Sequence, residues 1–105
     1  MNSDCAILRR RKSEVSMLIE VVKLYDKKKT DDSGRAYIYS DKIISIESRS
    51  EIYTNTNIGI THIKSISGHG MLIIEDLDHF VYRLQNSIGP ADEVYNEILR
   101  QRYNI

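Results

Sequence analysis

Cysteine, proline, glycine and long apolar runs are all scarce in this chain of 105 residues, and each shortage excludes a class of protein. The one cysteine, Cys5, has no partner for an internal disulfide, so we expect a reducing, cytoplasmic compartment. The single proline and the five glycines argue against a fibrous chain. Apolar runs reach only about four residues, as at positions 71–74, whereas a bilayer-spanning helix needs roughly 20. No apolar segment of useful length follows the basic residues 9–12, so we expect no secretion signal.

The formal net charge of the chain is zero, because 15 Lys and Arg residues balance 15 Asp and Glu residues. The chain therefore lacks the strong overall field that drives non-specific binding to nucleic acid or to an anionic membrane. A partner of either kind would need a local basic patch. What the chain does contain is 41% hydrophobic residues, which at this length predicts one small domain around a single core.

Short β-type runs separated by turn residues occupy most of the chain. Residues 1–16 show no period typical of a packed element and are predicted to be a flexible N-terminal arm. Residues 17–105 are predicted to form the domain. Its predicted strands are residues 17–25, 35–39, 43–48, 51–57, 71–75 and 79–84, the last two forming a hairpin. In the strand at residues 43–48, Ile44 and Ile46 are predicted to share one face.

Two segments have helical spacing. The isoleucines at 60, 63 and 66 recur every three residues, which favours a single helical turn leading into a strand. Near the C-terminus, Ala91, Val94, Ile98 and Leu99 form an apolar stripe, with acidic residues before it and arginines after it. This pattern predicts an amphipathic helix over roughly residues 90–103.

The order of these elements predicts an α+β fold, mainly antiparallel β. Six or seven strands would form a bent sheet or partly open barrel, and the C-terminal helix would cap it.

Three segments resemble a known family. Residues 34–47 are similar to the hairpin of bacterial PH-like domains of the GRAM and YokE type, in which a turn with Asp and Lys joins two apolar strands. Residues 60–66 and the helical segment at 91–98 resemble later elements of the same family. A weaker resemblance, carried by residues 17–24, 40–46 and 93–98, is to the small FlbD-like flagellar family. The PH-like resemblance implies a scaffold that binds phosphoinositides, peptides or proteins, and whose bacterial members form symmetric oligomers by pairing sheet edges.

The basic residues Lys27, Lys28, Lys29 and Arg35 surround the loop between the first two predicted strands. In phospholipid-binding PH domains the corresponding loop holds inositol phosphates, so the resemblance implies a site for a phosphoinositide head group here. A nucleic acid is the other anionic ligand that this basic loop would suit. Three aspartates in the same loop oppose this hypothesis because they cancel most of its charge. Solvation of a long loop is the other reading of these lysines.

Tyrosine is the abundant aromatic residue, with seven in the chain. Arg35, Tyr37 and Tyr39 occupy every second position of one predicted strand and so share a face. We expect the two tyrosine rings to form an interaction surface for another chain or a base. A half-buried sheet face is the alternative.

Catalytic residues do not group in any recognisable motif. His62, His69 and His79 lack metal-binding spacing, and Cys5 has no nearby histidine motif. We therefore expect no enzymatic activity, no metal and no cofactor. The sequence favours a small interaction module that self-associates and docks a protein partner, with binding of an anionic ligand as the alternative.

Overall fold

The computed structural model describes residues 5–7, 16–24, 33–53 and 56–103. Within these ranges the chain forms one sheet and two α-helices. The strands are β1 (Cys5–Ile7), β2 (Leu18–Leu24), β3 (Ser33–Tyr39), β4 (Ile43–Ile52), β5 (Gly59–Ser65) and β6 (Gly70–Ile74). The helices are α1 (Leu77–Gln85) and α2 (Asp92–Tyr103), and a single 3-10 turn at Ser40–Lys42 joins β3 to β4.

All neighbouring strands of the sheet are antiparallel, and their order is β1-β4-β5-β6-β2-β3. The sheet is open, so β1 and β3 form its two edges. The predicted α+β class, with a mainly antiparallel sheet and a C-terminal helix, is confirmed. Five of the six described strands have five or more residues, and β1 has three.

Each face of the sheet is covered by a helix. Strand β2 shows this directly, because Ile19 and Val21 join one apolar cluster whereas Val22 and Leu24 join the other. Successive side chains of a strand point to opposite faces. Helix α1 packs on the first cluster through Phe80. Helix α2 packs on the second through its buried residues Val94 and Ile98.

The predicted hairpin partner at residues 79–84 is wrong, since this segment lies in helix α1. Its β-prone residues suggested a strand, but Leu77, Phe80, Val81 and Leu84 all contact the same apolar cluster. Their spacing of three and four residues is that of one helix face. Tertiary burial of that face therefore outweighs the local preference of Phe, Val and Tyr for strands.

The predicted helical turn at residues 60–66 is also wrong, because these residues lie mainly in β5. Ile60 belongs to the cluster under α2 and Ile63 to the cluster under α1. An odd spacing places two residues of a strand on opposite faces, and here both faces are buried. In β4 a register shift between Ile43 and Ser45 leaves Ile44 exposed while Ile46 is buried, so these two do not share an environment.

The C-terminal helix is confirmed as α2, and its stripe of Ala91, Val94 and Ile98 is buried, whereas Leu99 is exposed. Of the predicted arm over residues 1–16, the described parts are Cys5–Ile7, which pair with β4, and Ser16. The hydroxyl of Ser16 donates to Asp41 Oδ1 at 2.8 Å.

Candidate interaction surface at the β3 edge

Strand β3 is a long and regular edge of the sheet. All seven of its residues pair in unbroken register with β2, from Tyr39 opposite Leu18 to Ser33 opposite Leu24. Within the described residues β3 has no second neighbouring strand. Proteins usually protect such an edge with proline, lysine, a bulge or a very short strand. The seven residues of β3 contain no proline and no lysine, and their one charged residue is Arg35.

Three apolar side chains form a ridge along this edge, and we call Leu18, Tyr37 and Tyr39 the edge ridge. Their exposed fractions are 48%, 58% and 53% respectively. Leu18 pairs directly with Tyr39, so both lie on the same face of the sheet. The sequence predicted that Tyr37 and Tyr39 would share a face, and their strong exposure makes them available for contact.

A shallow pocket of about 240 Å³ adjoins the ridge. It is lined by Leu18, Glu20, Tyr37, Gly89 and Pro90. The volume is below the roughly 300–1,000 Å³ typical of small-molecule sites. A pocket of this volume suits one side chain of a docked strand better than a separate small-molecule ligand.

The loop that follows α1 forms the floor of this pocket. Its Gly89 carbonyl accepts a hydrogen bond from the Glu20 amide at 2.8 Å. A Cβ atom at position 89 would lie 2.9 Å from the backbone oxygen of Leu18, so this close approach requires glycine. The loop therefore lies against the first half of β2 like a further extended segment.

Glu20 connects the edge to this loop. Its carboxylate accepts hydrogen bonds from the Ala91 amide at 2.9 Å and the Tyr37 hydroxyl at 3.1 Å, and it forms an ion pair with Arg35 at 2.8 Å. The Arg35 hydrogen bond, followed by that of the Ala91 amide, holds the pKa of Glu20 below its ordinary value. The ionised carboxylate is thus the stable form at this position.

Arg35 is tightly engaged by its neighbours. Besides Glu20, its Nη1 donates to Asp92 Oδ1 at 3.3 Å, and its guanidinium lies 4.0 Å from the centre of the Tyr95 ring. The hydrogen bond to Glu20 is the main reason that the pKa of Arg35 is raised. An anion that bound Arg35 would have to compete with two carboxylates.

The sequence-predicted residues are therefore only partly brought together. Arg35 and Tyr37 meet through Glu20, and Tyr39 lies on the same strand face. Lys27, Lys28 and Lys29 lie outside the described residues. Glu20 was not singled out from the sequence. It lies on the face of Tyr37 because the two residues are directly opposite each other in the β2–β3 pair.

Arg83 supports this region from inside the protein. It has only 1% of its surface exposed. Its Nη2 donates to the carbonyl oxygens of Glu20 at 2.6 Å and Gly89 at 2.8 Å. Its Nη1 donates to Glu75 Oε1 at 2.7 Å, and the other Glu75 oxygen lies 2.6 Å from His79 Nδ1. Burial raises the pKa of Glu75, and the charge of Arg83 is the largest effect opposing it.

The sequence predicted that Glu75 ends a strand of a hairpin and did not single out Arg83. The signal that could have revealed the pair is the four-residue spacing of Glu75, His79 and Arg83. This spacing places His79 and Arg83 on one side of α1, with Glu75 just before the start of the helix.

A second cavity, of about 310 Å³, lies beside Glu75 and His79 and is bordered by α2 residues including Glu93 and Glu97. In the described ranges no three His, Cys, Asp or Glu side chains are arranged to hold a metal ion. Neither of the two described helices is long and apolar enough to cross a membrane.

In comparisons with known proteins, the chain matches no family model, no curated protein and no solved structure. The PH-like and FlbD-like resemblances therefore stay hypotheses.

Proposed function

We propose that this chain is a non-enzymatic interaction module that self-associates and docks a protein partner by accepting a β-strand at the β3 edge. The observation that carries this proposal is the seven-residue edge, which has no second neighbouring strand in the part of the chain that the structure describes, with its exposed apolar ridge. A PH-like scaffold, which the sequence resembles, would suit the same use, because such domains bind peptides and proteins.

In strand addition, the backbone and the side chains of the edge make different contributions to binding. The outer N–H and C=O groups of β3 provide hydrogen bonds that do not depend on the partner's sequence, while alternate side chains provide specificity. Tyr37 and Tyr39 offer large apolar surfaces at low cost in conformational entropy. The pocket beside Leu18 can accept one side chain of the added strand.

The test replaces one ridge residue by a charge that is common on protected edges. Tyr39→Lys places a solvated ammonium group on the ridge, and we expect it to raise the dissociation constant of the self-associated form by about tenfold or more, equivalent to roughly 1.4 kcal/mol. Light scattering at a series of concentrations measures this change. Tyr82→Lys is the matched control, because Tyr82 lies on α1 and is 54% exposed, almost the same as the 53% of Tyr39.

A strict monomer at every concentration would contradict the self-association. An equal loss of association in the Tyr39→Lys and Tyr82→Lys variants would contradict the assignment to the β3 edge.

A further inference from the structure

We infer that the strand bound at the β3 edge is β3 of a second copy of this chain, antiparallel, with Ala36 opposite Ala36 on a two-fold axis. This inference rests on the proposed function and specifies the partner and register of the same surface. The result would be one continuous sheet across two copies, with both edge ridges on the same side.

Pairing with β3 is favoured over pairing with the opposite sheet edge. Strand β1 has three described residues, so the described part of a contact between β1 and β3 would match less than half of the seven residues of β3. Such a contact would also be head-to-tail, and head-to-tail contacts between unlike edges continue into open chains of molecules unless they form a ring. Two copies of β3 instead form a closed, two-fold pair.

The faces of the sheet restrict the possible registers. Directly opposite residues in an antiparallel pair share a face. Arg35, Tyr37 and Tyr39 lie on the face that α2 covers, whereas Ala36 and Ile38 lie towards α1. A slip by one residue would put the exposed tyrosines of one copy opposite the α1 face of the other. The axis must therefore pass through a residue, and the central positions are Arg35, Ala36 and Tyr37.

Overlap and charge decide among these three registers. An axis at Ala36 pairs all seven residues of Ser33–Tyr39. Among the described residues, an axis at Arg35 pairs residues 33–37. It also sets the two Arg35 side chains directly opposite each other, which like charges disfavour. An axis at Tyr37 pairs only residues 35–39. Of the three registers, the one at Ala36 pairs the most described residues of β3 and opposes no like charges.

Side chains also match in the Ala36 register. Each Arg35 lies opposite Tyr37 of the second copy, twice by symmetry, and a guanidinium beside an aromatic ring is a favourable contact. Glu20 and Asp92 already compensate the charge of Arg35 within its own chain, so association leaves no unpaired charge. On the other face, the small Ala36 side chains meet at the axis without a steric clash.

Single cysteines across the axis test the register in the full-length chain. In a Cys5→Ser background, Ala36→Cys puts two thiols directly opposite each other, with Cβ atoms about 4.5–5.5 Å apart, close to the separation of roughly 3.5–4.5 Å in a disulfide. Mild oxidation is expected to shift most of this variant to twice the monomer mass on a non-reducing gel. Ile44→Cys is the matched control, since Ile44 is 41% exposed on β4, which lies four strands away from β3 in the sheet, so its two thiols would be too far apart to join.

Arg35→Cys and Tyr37→Cys report the two competing registers. A dimer in light scattering that cross-links through either of these variants, and not through Ala36→Cys, would overturn the register and leave the proposed function standing. A chain that stays monomeric and cross-links through none of them would overturn both. Circular dichroism confirms the fold of each variant.

Hydrogen exchange of the unmodified chain supplies a readout that needs no variant. Amides of β3 are expected to become more protected as concentration rises, while those of β1 do not change. Equal protection of both edges, or protection at β1 alone, would contradict the pairing of β3 with itself.

Discussion

Arg83 is one of the largest fully buried side chains among the described residues, and it connects parts of the chain that are distant in sequence. One guanidinium binds the Glu75 carboxylate and the carbonyl oxygens of Glu20 and Gly89. A buried charge is tolerated only where such partners replace water. These hydrogen bonds hold the loop that contains Gly89, and this loop lines the pocket beside Leu18.

Arg83→Met is expected to lower the free energy of unfolding by about 3–5 kcal/mol, because it leaves the Glu75 carboxylate buried without its counter-charge. Urea denaturation at neutral pH measures the loss. Arg100→Met is the control, since the side chain of Arg100 is 62% exposed and its loss should change stability by no more than about 0.5 kcal/mol. Similar losses in the two variants would mean that the buried network contributes little.

Glu20 is expected to make the fold sensitive to acid. Its pKa lies below the ordinary value of 4.5, chiefly because Arg35 and the Ala91 amide stabilise the ionised form. A carboxyl group with a lower pKa in the folded state contributes stability that is present above the unfolded pKa and is lost as pH falls through the folded pKa. The raised pKa of Glu75 acts in the opposite direction, so the effect of Glu20 must be isolated by substitution.

Glu20→Gln should therefore flatten the fall in unfolding free energy below about pH 4.5. Urea denaturation at a series of pH values compares it with Glu93→Gln, a substitution of an exposed carboxylate on α2. An acid limb that is unchanged by Glu20→Gln, or changed equally by Glu93→Gln, would exclude Glu20 as its cause.

At the scale of elements, the strands β2 and β3 and the helix α2 could be predicted because their patterns are local. β-Branched and aromatic runs bounded by turn residues mark the strands, and an apolar stripe with oppositely charged ends marks the helix. Helix α1 could not be recognised by composition, since Phe80, Val81 and Tyr82 are typical strand residues. Only the spacing of its buried side chains reveals it.

The prediction of a helical turn at residues 60–66, where the structure has β5, is wrong for a related reason. A strand with one buried face alternates between apolar and polar residues, whereas Ile60 and Ile63 are buried on opposite faces under different helices. Recognising this pattern requires knowing that α1 exists. Of the candidate surface, Arg35, Tyr37 and Tyr39 were predictable as one strand face, but the roles of Glu20 and Arg83 depend on contacts between residues far apart in sequence.

At the scale of the whole molecule, the two described helices pack on opposite faces of the sheet, and in the described residues β1 and β3 each have a neighbouring strand on one side. Balanced charge suits such a surface because two copies of a neutral chain do not repel each other over long distances. The same balance disfavours strong attraction to a polyanion.

The last prediction concerns the alternative of an anionic ligand. Because the chain has zero net charge and Arg35 is paired with Glu20 and Asp92, we expect vesicles containing phosphoinositides to be bound no more tightly than neutral vesicles at physiological salt. Sedimentation with both vesicle types, repeated over a range of salt concentrations, measures this difference. Selective binding that weakens with salt and disappears when Lys27, Lys28 and Lys29 are all replaced by alanine would establish the anion site instead. It should persist in a control with three exposed cations, Lys42, Lys64 and Arg100, replaced in the same way.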